Sequence, residues 1–99
     1  MSQQQIGIGI FGTSEVTKVL APLLREKGFN LVAIWGPNLK ETEELSKNTQ
    51  IPFFTNKIDD VLLRKDVDVC FILTQPYLHS QISVKALGKI QFFSEIETS

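Results

Sequence analysis

Histidine and cysteine, which so often carry nucleophilic, acid–base or metal chemistry, each occur once in these 99 residues. A lone cysteine closes no internal disulfide. Cys70 lies in the apolar run Val69-Cys70-Phe71-Ile72, where a buried small hydrophobe is expected rather than a reactive thiol. Charge of either sign is also lacking in excess: 10 basic and 11 acidic residues leave a formal net charge of −1. A nucleic-acid binder shows a basic patch, so no nucleic-acid partner is expected. No apolar run approaches the roughly 20 residues of a membrane span, so no membrane partner is expected either. The opening Met1-Ser2-Gln3-Gln4-Gln5 is polar and uncharged, unlike a signal peptide, and a cytoplasmic location follows as the default. Repeats, linkers and low-complexity tracts are missing. With 42% hydrophobic and 21% charged residues, the composition fits one small globular domain over residues 1–99.

The chain is organised around residues 6–17, which read as a buried strand, a glycine turn and the start of a helix. That is how a dinucleotide-binding unit begins. Gly7-x-Gly9-x-x-Gly12 matches the fingerprint by letter, but Gly7 and Gly9 alternate with Ile6, Ile8 and Ile10 and belong inside the strand. A phosphate site must open the helix, where free N–H groups and the positive dipole end lie. The three key positions are then Gly12, Ser14 and Thr17, of which only the first is glycine. Gly12 can make the tight turn. Ser14 brings a Cβ toward the pyrophosphate but also a hydroxyl that can donate to it. Thr17 brings bulk where the helix should press on the strand, so cofactor binding is expected to be weakened or lost. The alternative is a plain βα turn with a Thr or Ser cap.

Downstream, strand-like and helix-like segments alternate. A helix is expected over residues 14–27, with Val16, Val19, Leu20, Leu23 and Leu24 forming one apolar stripe, Pro22 kinking it and Gly28 ending it. A buried strand follows at 31–35, then a polar helix over 39–48 capped by Asn38 with Glu41, its clearest inward residue being Leu45. Residues 52–54 read as a strand and 58–64 as a short helix with Ile58, Val61 and Leu62 on one side. Asp59 and Asp60 suit the first turn of that helix; with no His or Cys nearby, no metal site is expected. Residues 67–73 form a fourth strand, 77–87 a helix and 90–93 a fifth strand. The alternation predicts an α/β fold: a doubly wound parallel sheet with right-handed crossovers.

Ligands of such sheets collect beyond the carboxyl ends of the strands. The candidate cofactor-binding residues are therefore Gly12, Thr13, Ser14, Glu15 and Val16 after the first strand, Trp35 and Lys40 after the second, and Thr74, Gln75, Pro76 and His79 after the fourth. No Asp or Glu closes the second strand to bind both ribose hydroxyls of NAD. Lys40 is the nearest cation for a 2′-phosphate, which tilts the expectation from NAD toward NADP. A lysine placed like Lys40 is more commonly a solvated helix-face residue, and His79 reads equally as a partly exposed helix residue. No catalytic residue is assigned.

Together, the stretch 8–12 followed by Thr13-Ser14, then Asp68-Val69-Cys70-Phe71-Ile72 and Thr74-Gln75-Pro76-Tyr77-Leu78-His79, resemble the glucose–fructose oxidoreductase/inositol dehydrogenase family. Phe11-Gly12-Thr13-Ser14, Trp35-Gly36, Ile51-Pro52-Phe53 and residues 58–62 are similar to its animal domain-containing members. The resemblance covers most of residues 6–89. It implies a Rossmann domain binding NAD(P), with Thr74, Pro76 and His79 lining the nicotinamide side. The family continues with a strand and Glu-Lys-Pro, whose lysine assists catalysis, and then a second domain that binds substrate. Here Glu95 stands near that place without a following Lys-Pro, and residues 90–99 read as a divergent tail. The expectation is a truncated or alternatively terminated isoform, or a divergent member, inactive alone because hydride transfer needs cofactor and substrate held together. The face left by the missing domain would favour self-association or a protein partner. Two alternatives are a non-enzymatic binding or scaffold protein that kept the fold and lost the cofactor, and a fragment of a full-length enzyme. Secretion is suggested by the resemblance alone.

Overall fold

The computed structural model describes residues 6–73 and the backbone of residues 90–93. In chain order the elements are β1 (Gly7–Phe11), α1 (Glu15–Glu26), β2 (Asn30–Trp35), α2 (Leu39–Thr49), β3 (Phe53–Thr55), α3 (Ile58–Leu62), β4 (Val69–Ile72) and β5 (Ile90–Phe93). The strands form one sheet in the order β3-β2-β1-β4-β5, and every neighbouring pair is parallel. Through α1 and α2 the chain steps outward from β1 to β3. Through α3 it returns past β1 to β4. Right-handed crossovers then set α1 and α2 on one face and α3 on the other. This is the doubly wound α/β arrangement expected from the alternation.

The core divides accordingly. Ile8, Ile10, Leu31, Ile34 and Val69 pack with Ala21 and Leu24 of α1 and Leu45 of α2. Phe11, Val32, Ala33, Trp35, Cys70 and Ile72 pack with Val61 and Leu62 of α3. A register shift between Ile8 and Gly9 lets two β2 residues, Val32 and Ala33, fall on the α3 side. Such a bulge changes the parity of every residue after it. Phe11 therefore pairs with Trp35, and both side chains reach the α3 face.

Gly7 and Gly9 lie inside β1, as their alternation with isoleucine indicated. A Cβ on Gly9 would come within 2.7 Å of Val61, so that glycine admits α3 against the sheet. Cys70 is fully buried, as expected. Asn38 caps α2 by accepting from the Glu41 amide at 3.0 Å, and Gly28 ends α1 at φ 92°. Asp59 and Asp60 occupy the first turn of α3. β3 lies one residue later than expected, and β4 is narrower, with Val67 and Leu73 buried at its flanks.

Two helices depart from the expectation. Only part of the α1 stripe faces the core: Leu24 is buried and Leu20 packs beside it, whereas Val16, Val19 and Leu23 are exposed, and burial falls also on Thr17 and Ala21. Small residues at 17 and 21 let the helix axis lie close to the sheet, and that proximity outweighs the larger side chains one turn away. α1 also runs unbroken through Pro22, which sits on its exposed side. On α2, Thr42, Ser46 and Thr49 are buried beside Leu45. Their hydroxyls are satisfied within the chain, Thr42 donating to the Asn38 carbonyl at 2.7 Å and Thr49 to that of Leu45 at 2.6 Å. A polar residue bonded in this way is cheap to bury. The expected helix over 77–87 lies outside the described residues. Within the stretch read as a tail, residues 90–93 form β5 beside β4.

Candidate functional site at the carboxyl edge of the sheet

β1 and β4 are neighbours although α1, β2, α2, β3 and α3 separate them in sequence, so strand order switches between them. Ligands of open α/β sheets bind in the crevice outside such a point. Gly12 stands there. Its amide donates to the Trp35 carbonyl at 2.8 Å, and next to it the Leu73 amide donates to the Phe11 carbonyl at 2.7 Å. Gly12 has φ 137°, and a Cβ on it would lie 2.7 Å from the Leu73 carbonyl oxygen. Both conditions demand glycine. Glycine therefore lets the turn pack against the end of β4.

Ser14 follows in extended conformation as the residue before α1, but its side chain makes no cap bond. Its hydroxyl oxygen is closed to solvent and finds no hydrogen-bond partner among the described residues. The Glu15 and Val16 amides open the helix without intrahelical acceptors, as first-turn amides do. Glu15 turns its carboxylate to solvent, 3.2 Å from the Lys18 ammonium, so its charge is paired away from the turn. The result is a helix N-terminus without a side-chain cap, beside a hydroxyl that has no partner among the described residues, and such a terminus suits an anion of phosphate type.

Thr17 stands at the third fingerprint position. Its bulk is accommodated: the side chain is fully buried and its hydroxyl donates to the Gly12 carbonyl at 3.0 Å. The expected clash of helix and strand is replaced by a hydrogen bond that pins the turn.

At the end of β2 the structure brings Thr13 against Gly36. A Cβ on Gly36 would lie 2.2 Å from the Thr42 hydroxyl oxygen and 2.5 Å from the Thr13 methyl. No side chain, and hence no carboxylate, fits at position 36. Thr42 was not singled out from the sequence. A signal was available in its place four residues after the cap Asn38, to whose carbonyl it bonds. Lys40 lies exposed on the first turn of α2. A separate groove of about 210 Å³ between α1 and α2 is lined by Thr13, Lys18, Glu41, Glu44, Leu45 and Asn48. Its two carboxylates to one ammonium make it a poor anion site.

Of the sequence candidates, Gly12, Thr13, Ser14, Glu15, Val16 and Trp35 are thus gathered around one edge, with Lys40 on the adjoining helix start. Thr74, Gln75, Pro76 and His79 lie outside the described residues.

The chain is similar to several known proteins. Residues 6–91 match the family model described as "Oxidoreductase family, NAD-binding Rossmann fold". Glucose-fructose oxidoreductase domain-containing protein 1 of Xenopus tropicalis is 51% identical over 82 residues, 83% of this chain and 21% of the relative. The chain thus spans about a fifth of the length of the curated relatives it matches. Scyllo-inositol dehydrogenase from Lactobacillus casei, solved with bound cofactor NAD(H) and scyllo-inositol, superposes with a TM-score of 0.79 at 26% identity, covering 91% of this chain and 28% of that one. A 3-ketoreductase from Actinomadura kijaniata in complex with NADP shares the fold, with a TM-score of 0.77 at 21% identity over 91% of this chain and 30% of the other.

Proposed function

Because this chain belongs to the oxidoreductase family with the NAD-binding Rossmann fold, we propose that it is the cofactor-holding unit of a nicotinamide-dependent oxidoreductase and that its preferred dinucleotide is NADP(H). The pyrophosphate lies on the N-terminus of α1, received by the Glu15 and Val16 amides and the Ser14 hydroxyl, with Gly12 setting the tight turn against Leu73. The observation that carries the preference is the packing of Thr13 and Thr42 onto Gly36. A ribose-binding carboxylate has no place there, and a carboxylate is what would select an unmodified 2′-hydroxyl and repel a 2′-phosphate. The start of α2, with its positive dipole end and Lys40, receives that phosphate instead. When bound, the nicotinamide ring supplies or accepts hydride; the described residues bind and orient the dinucleotide and place no acid or base for the reaction. Turnover by this chain alone is not expected, because holding the substrate against the cofactor is a separate task.

Calorimetric titration of the 99-residue chain with NADPH and NADH tests this. NADPH should bind more tightly, Lys40→Ala should weaken NADPH about three- to tenfold while sparing NADH, and Gly12→Val should abolish both. Tighter NADH binding removes the NADP preference and leaves the dinucleotide unit. Absence of binding by a folded chain favours the scaffold reading, in which the fold outlived the cofactor.

A further inference from the structure

The sheet ends in β3 on one side and β5 on the other, and the two ends differ. β3 is three residues long and follows Pro52, which has no N–H to offer. The Arg64 guanidinium lies over its Phe53 ring, 4.7 Å from the centroid. A short strand, a proline and a nearby charge are the devices that stop a sheet edge from recruiting another strand. β5 shows a different sequence. Its four residues, Ile90-Gln91-Phe92-Phe93, include neither a charge nor a proline, and three of them favour strands. They pair with Val69–Ile72 position by position, without a bulge. Among the described residues β5 has no second neighbour. Successive residues of a strand send their N–H and C=O groups to alternate sides, so every second residue of β5 turns these groups away from β4.

Those groups call for an added strand, and what each candidate leaves open decides between them. A foreign strand laid on β5 presents a fresh edge of its own. A second copy of this chain does not: the two β5 edges satisfy each other, and the joined sheet ends in the protected β3 on both sides. We propose that β5 is a self-association edge, at which two copies of this chain pair antiparallel about a two-fold axis normal to the sheet. The direction follows from the symmetry, because such an axis reverses a strand when it sets it beside its own copy. The carboxyl edges of the two copies then point opposite ways, each with its own Gly12 turn. The pairing therefore stands apart from the dinucleotide reading.

Sedimentation equilibrium of the full chain, with amide exchange of residues 90–93 followed from micromolar to millimolar concentration, tests this. A reversible monomer–dimer equilibrium is expected. Alternate β5 amides should exchange fast in dilute solution and become protected as the dimer fills. Gln91→Lys, checked for a dispersed spectrum, puts a charge into the shared edge and should raise the dimer dissociation constant about tenfold or more. Val19→Lys, on the exposed apolar side of α1, should leave that constant unchanged. A chain that stays monomeric throughout overturns the proposal. So does a dimer whose β5 amides exchange alike at every concentration. A dimer dispersed by Val19→Lys and not by Gln91→Lys overturns it too, because α1 is then the interface. Open-ended growth in place of a dimer overturns the two-fold closure. Where Gln91→Lys does not fold, the exchange of the β5 amides in the natural chain decides alone.

Discussion

The hydroxyl of Thr17 donates to the carbonyl of Gly12 at 3.0 Å, across the turn that joins β1 to α1. The donor is fully buried, and the acceptor belongs to the residue whose φ of 137° sets the turn. A position usually read for its lack of a side chain thus carries one that holds the turn in shape. Thr17→Val keeps the shape and removes the bond, leaving a buried carbonyl short of a donor. It should lower stability by about 1–2 kcal/mol, or roughly 4–16 °C in Tm for a domain of this size. Thr17→Gly restores the letter of the fingerprint, yet it should destabilise further, since it also opens a cavity and puts glycine in a helix. Thermal and denaturant unfolding of the two variants decide this: a Thr17→Gly chain as stable as the natural one contradicts the assigned role.

The strands and the false glycine match were legible because a parallel sheet buried on both faces leaves an unmistakable mark, runs such as Ile8 to Phe11 and Leu31 to Trp35. The position of Gly12 followed from the same pattern. The buried face of α1 did not. Periodicity weighs side chains by size and polarity, so Val16, Val19 and Leu23 outweighed Thr17 and Ala21. A hydroxyl that bonds to its own backbone, as those of Thr17, Thr42 and Thr49 do, counts as polar in a sequence and behaves as nearly apolar in a core. The close packing of Thr13 and Thr42 on Gly36 depends on how two helix starts meet, and no local pattern in the chain encodes it.

That packing can be tested apart from any ligand. Gly36→Ala places a methyl group against the Thr42 hydroxyl and the Thr13 methyl and should cost about 1–3 kcal/mol through overpacking. Thr42→Ala removes the nearer obstacle. In a double-mutant cycle the pair should be less destabilised than the sum of the two single variants, because the second change makes room for the first. Additive effects would show that Gly36 is not held by Thr42. A chain carrying Gly36→Asp together with Thr13→Ala and Thr42→Ala should shift its preference toward NADH, since a carboxylate finds space at the end of β2 once both obstacles are shortened.

Gln50 ends α2 in the left-handed region, at φ 59° and ψ 38°. It is the only non-glycine residue with positive φ among the described residues. Glycine enters that conformation without the Cβ conflict. The Gln50 side chain is exposed, and what Arg25 uses there is the backbone: its guanidinium donates to the carbonyls of Thr49 and Gln50. Gln50→Gly should therefore leave that link in place and raise stability by roughly 0.5–1 kcal/mol. Arg25→Met should lower it by about 1 kcal/mol, the worth of an ordinary hydrogen bond, since solvent at this exposed helix end weakens the charge assistance. Denaturant midpoints at constant slope would check both signs.

The corrected face of α1 yields the sharpest contrast between neighbouring positions. Val19 is 63% exposed and Leu23 50%, whereas Ala21 between them is fully buried. Val19→Lys and Leu23→Lys each put a charge where water already reaches and should change stability by no more than about 0.5 kcal/mol. Ala21→Lys would force a long cationic chain between α1 and the sheet, into the apolar cluster of Ile8, Ile10 and Leu24. It should leave no cooperative unfolding transition. Circular dichroism of the three variants during heating provides the comparison. If Val19→Lys proves as damaging as Ala21→Lys, the large apolar residues of α1 are its packed face after all, and the small ones are not what brings the helix onto the sheet.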